Sequence, residues 1–234
     1  MQFGQTFSMS PWSKGSDIVE KNESMPAEVI LQKSIVSRQP VNLDGADQDQ
    51  ERAWIKASQE GDTAAFNRLV LRWERPVFNL ALRMLQDPDE ASDVTQEVFL
   101  AAFRHVRRFR FESRFSTWLY RIAANSSLTR LKQRPVASHI SLDEEAGSRV
   151  DIGLSSRQNQ EEAVLRRERR ERVSSALRRL SPPQRMVVEL KIFQECKFEE
   201  IAIIVDVPVS TVKSRFYSSL EVLRRSLGHL VAGM

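Results

Sequence analysis

Between residues 107 and 115 the sequence RRFRFESRF interleaves guanidinium groups with phenyl rings. Arg107, Arg108, Arg110 and Arg114 stand among Phe109, Phe111 and Phe115, and Glu112 is the only acid among them. Rings offer flat faces to unstacked bases and guanidiniums neutralise phosphates, so this composition suits single-stranded nucleic acid. A loop that anchors its rings in a core and turns its arginines to water would read the same way. For Phe115, and for Trp118 just beyond it, both accounts stand. The arginines favour a ligand, because Arg121 and Arg130 extend the series and no further acid opposes it before residue 134.

A second constellation lies at residues 198–225. Phe198, Ile201, Ala202, Ile204 and Val205 recur at helical spacing. Asp206-Val207-Pro208-Val209 then breaks the pattern: aspartate tolerates a left-handed residue, and proline disfavours helix at the position before it. Ser210 suits the cap of a second helix that turns Val212, Phe216, Leu220 and Leu223 inward. The opposite face carries Thr211, Lys213, Ser214, Arg215 and Ser218. Two short helices about a tight corner form a helix-turn-helix, whose second helix leads into a major groove. A hairpin inside an ordinary bundle has the same outline. The basic leading end favours DNA, because the helix dipole alone would place acids there.

These groups must be held by helices. Trp54, Ala57, Phe66, Leu69, Val70, Trp73, Val77, Leu80 and Met84 follow a helical period, broken at Gly61-Asp62, where Asp62 caps the second segment. Pro76 is expected to kink that segment. A third helix, from about 90 to 107, turns Val94, Val98, Ala102 and Val106 inward. Asp93, Gln96 and Glu97 lie along its early turns, with Phe99 and Leu100 further on, as a solvated face or a partner surface. Ser116 or Thr117 would cap the next helix, which carries Trp118, Leu119, Ile122, Ala123 and Leu128 together with Tyr120, Arg121, Asn125 and Arg130.

Beyond residue 134, Ser, Gly and Asp dominate to about 159, the composition of a linker. A charged helix follows over 160–180, then Ser181-Pro182 opens another helix that leads toward the corner. The resulting expectation is an all-α protein of two small helical domains joined by a flexible linker. Residues 1–50 form a flexible extension, 51–134 the first domain, 135–159 the linker, 160–227 the second domain and 228–234 a tail.

Composition bounds the chemistry. Net charge is only +4, yet the first 50 residues hold seven acids and four bases, so the rest carries about +7. One cysteine, Cys196, excludes an internal disulfide or a cysteine-based zinc cluster. Three scattered histidines offer no ligand spacing, and neither a membrane span nor a signal sequence is expected. The reading is a soluble, cytoplasmic protein without cofactor or metal. No carboxylate cluster, phosphate loop or nucleophile arrangement supports an enzyme.

Three stretches together resemble the bacterial RNA polymerase sigma factors of the sigma-70 superfamily, in their extracytoplasmic-function (ECF) group. DVTQEVFLAAFRHVRRF is similar to the family's core-polymerase-binding helix. FSTWLYRIAANSSLTRLKQR is similar to its promoter-melting, minus-10-reading helix. PPQRMVVELKIFQECKFEEIAIIVDVPVSTVKSRFYSSLEVLRR resembles its minus-35-binding helix-turn-helix. The resemblance covers about residues 51–227. It implies that Asp93, Gln96, Glu97 and Phe99 dock on the coiled coil of the polymerase's largest subunit. It implies that Arg107, Arg108, Phe109, Arg110, Phe111, Arg114 and Phe115 receive a flipped minus-10 base, beside Trp118, Arg121, Asn125 and Arg130. Ser210, Thr211, Lys213, Ser214 and Arg215 would then read minus-35 duplex, with the second domain on the polymerase flap. An anti-sigma factor is the further partner implied.

The chain departs from the family pattern in carrying Asp206 and Ser210 where glycines are usual, Thr129 where aspartate is frequent, and FYSSLEVL after Arg215 where bases are common. Fewer phosphate contacts there predict weak autonomous duplex binding, which tethering to polymerase could offset. The rival readings are a stand-alone helix-turn-helix regulator of duplex DNA and a helical protein-binding adaptor.

Overall fold

The computed structural model describes residues 45–134, 168 and 171–227. The expected extension, linker and tail, and the first half of the charged helix at 160–180, lie outside these residues, apart from the few at the start of the first helix.

The first helical region is built from four helices. α1 (Gly45–Glu60) starts six residues earlier than the apolar period predicts. α2 (Thr63–Leu85) is capped by Asp62, whose Oδ1 accepts from the Ala64 and Ala65 N–H groups at 2.8 and 3.1 Å. Pro76 lies inside α2 without ending it. α3 (Pro88–His105) opens on proline, which lacks the N–H that a first turn cannot use. Asp87 caps it, accepting from Asp89 and Glu90 N–H at 2.9 and 3.0 Å. A single 3-10 turn (Val106–Arg108) follows, then α4 (Phe115–Gln133).

α4 corrects one expectation. Its cap position is Arg114, with no side-chain cap bond, and Thr117 is buried inside the helix. A helix can begin without a side-chain cap when packing fixes its first turn, and here Phe115 and Thr117 are both buried.

Trp73 sits at the centre of this region. Its ring meets Phe115 and Tyr120 with centroids 6.5 and 5.9 Å apart, and its indole N–H donates to Glu51 Oε1 at 2.7 Å. The bond satisfies a polar atom that burial would otherwise strand. Burial raises the Glu51 carboxyl above its ordinary range, against the opposing pull of the Trp73 hydrogen bond and Arg72. The Tyr120 phenol is likewise held well above its ordinary value by burial.

The second region comprises α5 (171–178), α6 (Pro182–Val188) with a π-helical turn (Glu189–Phe193), α7 (Phe198–Val205) and α8 (Val209–Leu227). Val173, Leu177, Leu180, Met186, Leu190, Ile201, Ile204, Val212, Phe216 and Leu223 form its core. Asp206 adopts the left-handed conformation at the end of α7 (φ 53°, ψ 52°) that the corner requires. Ser210 does not cap α8. The Thr211 and Val212 N–H groups bond to the Pro208 carbonyl at 2.9 and 3.1 Å, so the helix starts two residues earlier, at Val209, and Ser210 stands exposed in its first turn. Proline serves there because the position needs a carbonyl and no N–H.

The two regions are not apart. α7 packs against the flank of α4, and the buried side chains of both regions form one continuous core. Local periodicity cannot announce such a contact between segments 65 to 90 residues distant.

Candidate core-polymerase and nucleic-acid surfaces

The sequence-expected residues fall on three separate surfaces. On the first, α2 and α3 leave a shallow groove of about 420 Å3 between them, lined by Thr63, Phe66, Asn67, Gln96, Phe99, Leu100 and Phe103. Phe66 and Phe103 meet edge to face at 5.0 Å on its floor. Leu100 and Phe103 are large apolar side chains left 56% and 46% exposed. Of the four α3 residues expected to touch a partner, Gln96 and Phe99 line this groove. Asp93 and Glu97 are exposed on the same helix outside the lining, and Glu97 binds Arg130 of α4 at 2.6 Å.

The second surface is the Arg/Phe loop and the outer face of α4. Gln59 of α1 holds the loop by donating to the Val106 and Phe109 carbonyls at 3.0 and 2.7 Å. Phe109, Phe115 and Trp118 contact one another with centroids 5.4 to 5.8 Å apart, and Phe111 joins Phe109 at 5.0 Å. The four rings divide by depth. Phe109 and Phe115 are buried, whereas Phe111 and Trp118 are half-buried with surface to spare. Phe111 also has φ +58°, a conformation costly for an aromatic residue, and Arg52 stands 4.8 Å over its ring. Strain of this kind collects at functional loops.

Arg107, Arg108, Arg110 and Arg114 are exposed. Among the described residues Arg110 has only Glu112 at 4.0 Å, and Arg114 only Glu200 at 3.9 Å, both long for ion pairs. These contacts leave the cations largely available. Arg121 and Asn125 are exposed one turn apart on α4, while Arg130 is drawn toward Glu97.

The third surface is the leading end of α8. Ser210, Lys213 and Ser214 are exposed, with Thr211 and Arg215 half-buried. Phe198 of α7 packs on Phe216 and Tyr217 at 5.5 and 6.5 Å, and the Lys213 ammonium lies 5.8 Å from its ring. This fixes the angle between the two helices and hence the aim of the leading turn. Farther along, Glu221 pairs with both Arg224 and Arg225 at 3.1 and 3.2 Å, so the last bases of the helix are answered within it. Those pairs hold the Glu221 carboxyl below its ordinary range, the Arg224 hydrogen bond first among the causes.

Nothing in these surfaces is arranged for bond-making. Burial pushes the Cys196 thiol up to about 12, which leaves it protonated and inert at neutral pH. Among the described residues no cluster of His, Cys, Asp and Glu could hold a metal, and no helix is long and apolar enough to cross a membrane.

Sequence profiles match in the same two regions: Sigma-70 region 2 over residues 69–135 and Sigma-70 region 4 over residues 170–222. The RNA polymerase sigma-H factor of Pseudomonas aeruginosa is 33% identical over 187 residues, spanning 79% of this chain and 97% of that one. The ECF RNA polymerase sigma-E factor of Escherichia coli is 34% identical over 184 residues, 77% of this chain and 96% of that one. This chain belongs to the ECF group of sigma-70 family sigma factors. As such it is a transcription initiation factor that binds core RNA polymerase and directs promoter recognition, and it is not an enzyme.

Solved sigma-factor structures share the fold. CnrH, in complex with the cytosolic domain of CnrY, superimposes with a TM-score of 0.58 at 22% identity, covering 77% of this chain and 99% of that one. RpoE of Bartonella quintana, in complex with the anti-sigma factor NepR, gives 0.55 at 20% identity, covering 70% and 96%.

One residue escaped the sequence reading of this surface, Phe103. Its signal is a second apolar stripe, 99-100-103, offset from the core stripe 94-98-102. Within an amphipathic helix that stripe is easily absorbed into a broad core face.

Proposed function

We propose that the three surfaces divide the work of initiation. The α2–α3 groove, with Gln96, Phe99, Leu100 and Phe103, docks on the coiled coil of the polymerase's largest subunit, and Asp93 and Glu97 supply a charged rim. Phe111 and Trp118 stack on unpaired minus-10 bases, while Arg107, Arg108, Arg110, Arg114, Arg121 and Asn125 hold the strand's backbone. Phe109 and Phe115 frame the loop from below, and Arg130, tied to Glu97, borders the same face. Ser210, Thr211, Lys213, Ser214 and Arg215 read the minus-35 duplex, and the second region rests on the polymerase flap. Anti-sigma regulation is the natural control, as in the Bartonella quintana relative seen with NepR.

The observation that carries this reading is the division of rings in the Arg/Phe loop, two rings anchoring and two half-exposed among unneutralised arginines. Stacking on an aromatic side chain contributes roughly 1–3 kcal/mol per base. Opening one duplex step costs about 1.4 kcal/mol. Two rings therefore offset about one to four steps, enough to favour a nucleated bubble and too little to melt DNA unaided. Polymerase must provide the rest.

The test is permanganate footprinting of a promoter with core polymerase and the full chain. Reactive thymines in the minus-10 region are expected with wild type and are expected to fade with Phe111→Ala and Trp118→Ala while core binding persists. Unchanged opening in both variants would remove the stacking role.

A further inference from the structure

α1 meets the Arg/Phe loop with one of its faces. Arg52, Lys56 and Gln59 follow one another at spacings of four and three residues, so they share a helix face about 10 Å long. Gln59 ends that face on the Val106 and Phe109 carbonyls, at 3.0 and 2.7 Å. Arg52 begins it over the Phe111 ring, its guanidinium carbon 4.8 Å from the ring centre. The loop therefore lies along α1, with the half-buried Phe111 ring at the Arg52 end.

Arg52 differs from two other arginines stacked on rings in what else it touches. Arg72, 5.0 Å over Trp54, is tied to Asp47 at 2.9 Å, and Arg83, 4.4 Å over Phe193, is tied to Glu189 at 2.6 Å. Arg52 is exposed, and among the described residues no carboxylate pairs with it. Asp49 and Glu60, the exposed acids of α1, engage neither Arg52 nor Lys56, so this face stays positive.

A guanidinium without a carboxylate keeps its charge for a ligand, and this one stands where a ligand is expected. A base stacked on Phe111 brings its own phosphate to the rim of the ring, beside Arg52. The planar fork of N–H donors can turn from the ring to that phosphate while the side chain stays anchored in α1. Phe111 also gains from a neighbour on its face. Its backbone is strained at φ +58°, and Arg52 and Phe109, the latter at 5.0 Å, together fix where the ring lies.

We propose that Arg52 of α1 is a further strand-binding residue of the minus-10 site, neutralising the phosphate of the base that stacks on Phe111. This rests on the stacking role given to Phe111 above. α1 thereby joins the loop and α4 in lining the path of the strand.

The experiment titrates a forked DNA with holoenzyme, core polymerase plus the full chain, across a tenfold range of salt. The fork is duplex upstream and single-stranded over the minus-10 element, and wild-type holoenzyme selects it from a random-sequence pool. One phosphate contact on a single strand contributes about 0.7 to the slope of log affinity against log salt. Arg52→Gln is expected to flatten the slope by about 0.7, so its deficit is about fivefold larger at the low-salt end than at the high-salt end. Arg52→Met keeps a side chain on the ring without the charge and is expected to flatten the slope equally. Arg52→Lys keeps the charge and is expected to recover the slope. Core binding and melting temperature of all three should stay close to wild type. A wild-type slope for Arg52→Gln or Arg52→Met, or an Arg52→Lys variant no better than Arg52→Gln, overturns the phosphate contact and leaves Arg52 a prop for the ring. Phe111→Ala that binds the fork as tightly as wild type overturns the stacking role instead, while the Arg52→Gln slope still reports on α1.

Discussion

Leu100 separates a docking surface from a merely irregular one. Fully burying a leucine side chain contributes about 1.5–3 kcal/mol. Leu100 is 56% exposed in the free protein, so about half of that, roughly 1–1.5 kcal/mol, is still to be gained when a partner covers the groove. Leu100→Ala removes most of the gain and is expected to weaken core polymerase binding about five- to tenfold. Because the side chain contributes little to the folded core, the melting temperature should barely move. Leu71 is the control: it is 77% exposed on α2 and outside the groove, and Leu71→Ala is expected to leave binding unchanged. The assay is an anisotropy titration of labelled full chain with core polymerase at fixed salt, beside thermal unfolding of each variant. Wild-type affinity for Leu100→Ala, or an equal loss for Leu71→Ala, would refute the assignment of the groove.

Three further outcomes follow from particular residues. Glu51 has its folded pKa raised by burial, so its contribution is fully present below the ordinary carboxylate range and is lost as pH rises through the raised value. Glu51→Gln, which keeps an acceptor for the Trp73 indole, should therefore unfold at a higher denaturant midpoint than wild type at pH 7 and at the same midpoint near pH 4. Asp206 stands at φ 53°; Asp206→Gly should hold or raise stability, and Asp206→Val should lower it by about 1–2 kcal/mol, read from thermal melts. Lys213→Ala should weaken duplex minus-35 binding across sequences and reduce the slope of log affinity against log salt by about 0.9, measured by titration at several salt concentrations.

How much of this was legible in the sequence depends on the range of the interaction. Asp62 and Asp206 each act within a few residues of themselves, and their roles could be read from type and position. Ser210 misled because proline beside it can supply the same carbonyl, and Thr117 because a buried first turn needs no side-chain cap. The apolar periods placed the helices. They could not sort Phe109 and Phe115 from Phe111, since a loop has no period and depth is set by Gln59 and Trp118 reaching in from other helices. The Arg83–Glu189 pair spans 106 residues, and nothing local to either residue points to the other.

The central claim is that this sigma factor delivers polymerase to a promoter through two readers and opens DNA on half-exposed rings. Reconstituted transcription with core polymerase tests it most directly, using the full chain on a promoter library and scoring run-off products. The account predicts specific transcripts from minus-35/minus-10 promoters, abolished by removing either Phe111 with Trp118 or Lys213 with Arg215. Specific transcription that survives both double alanine variants would contradict it.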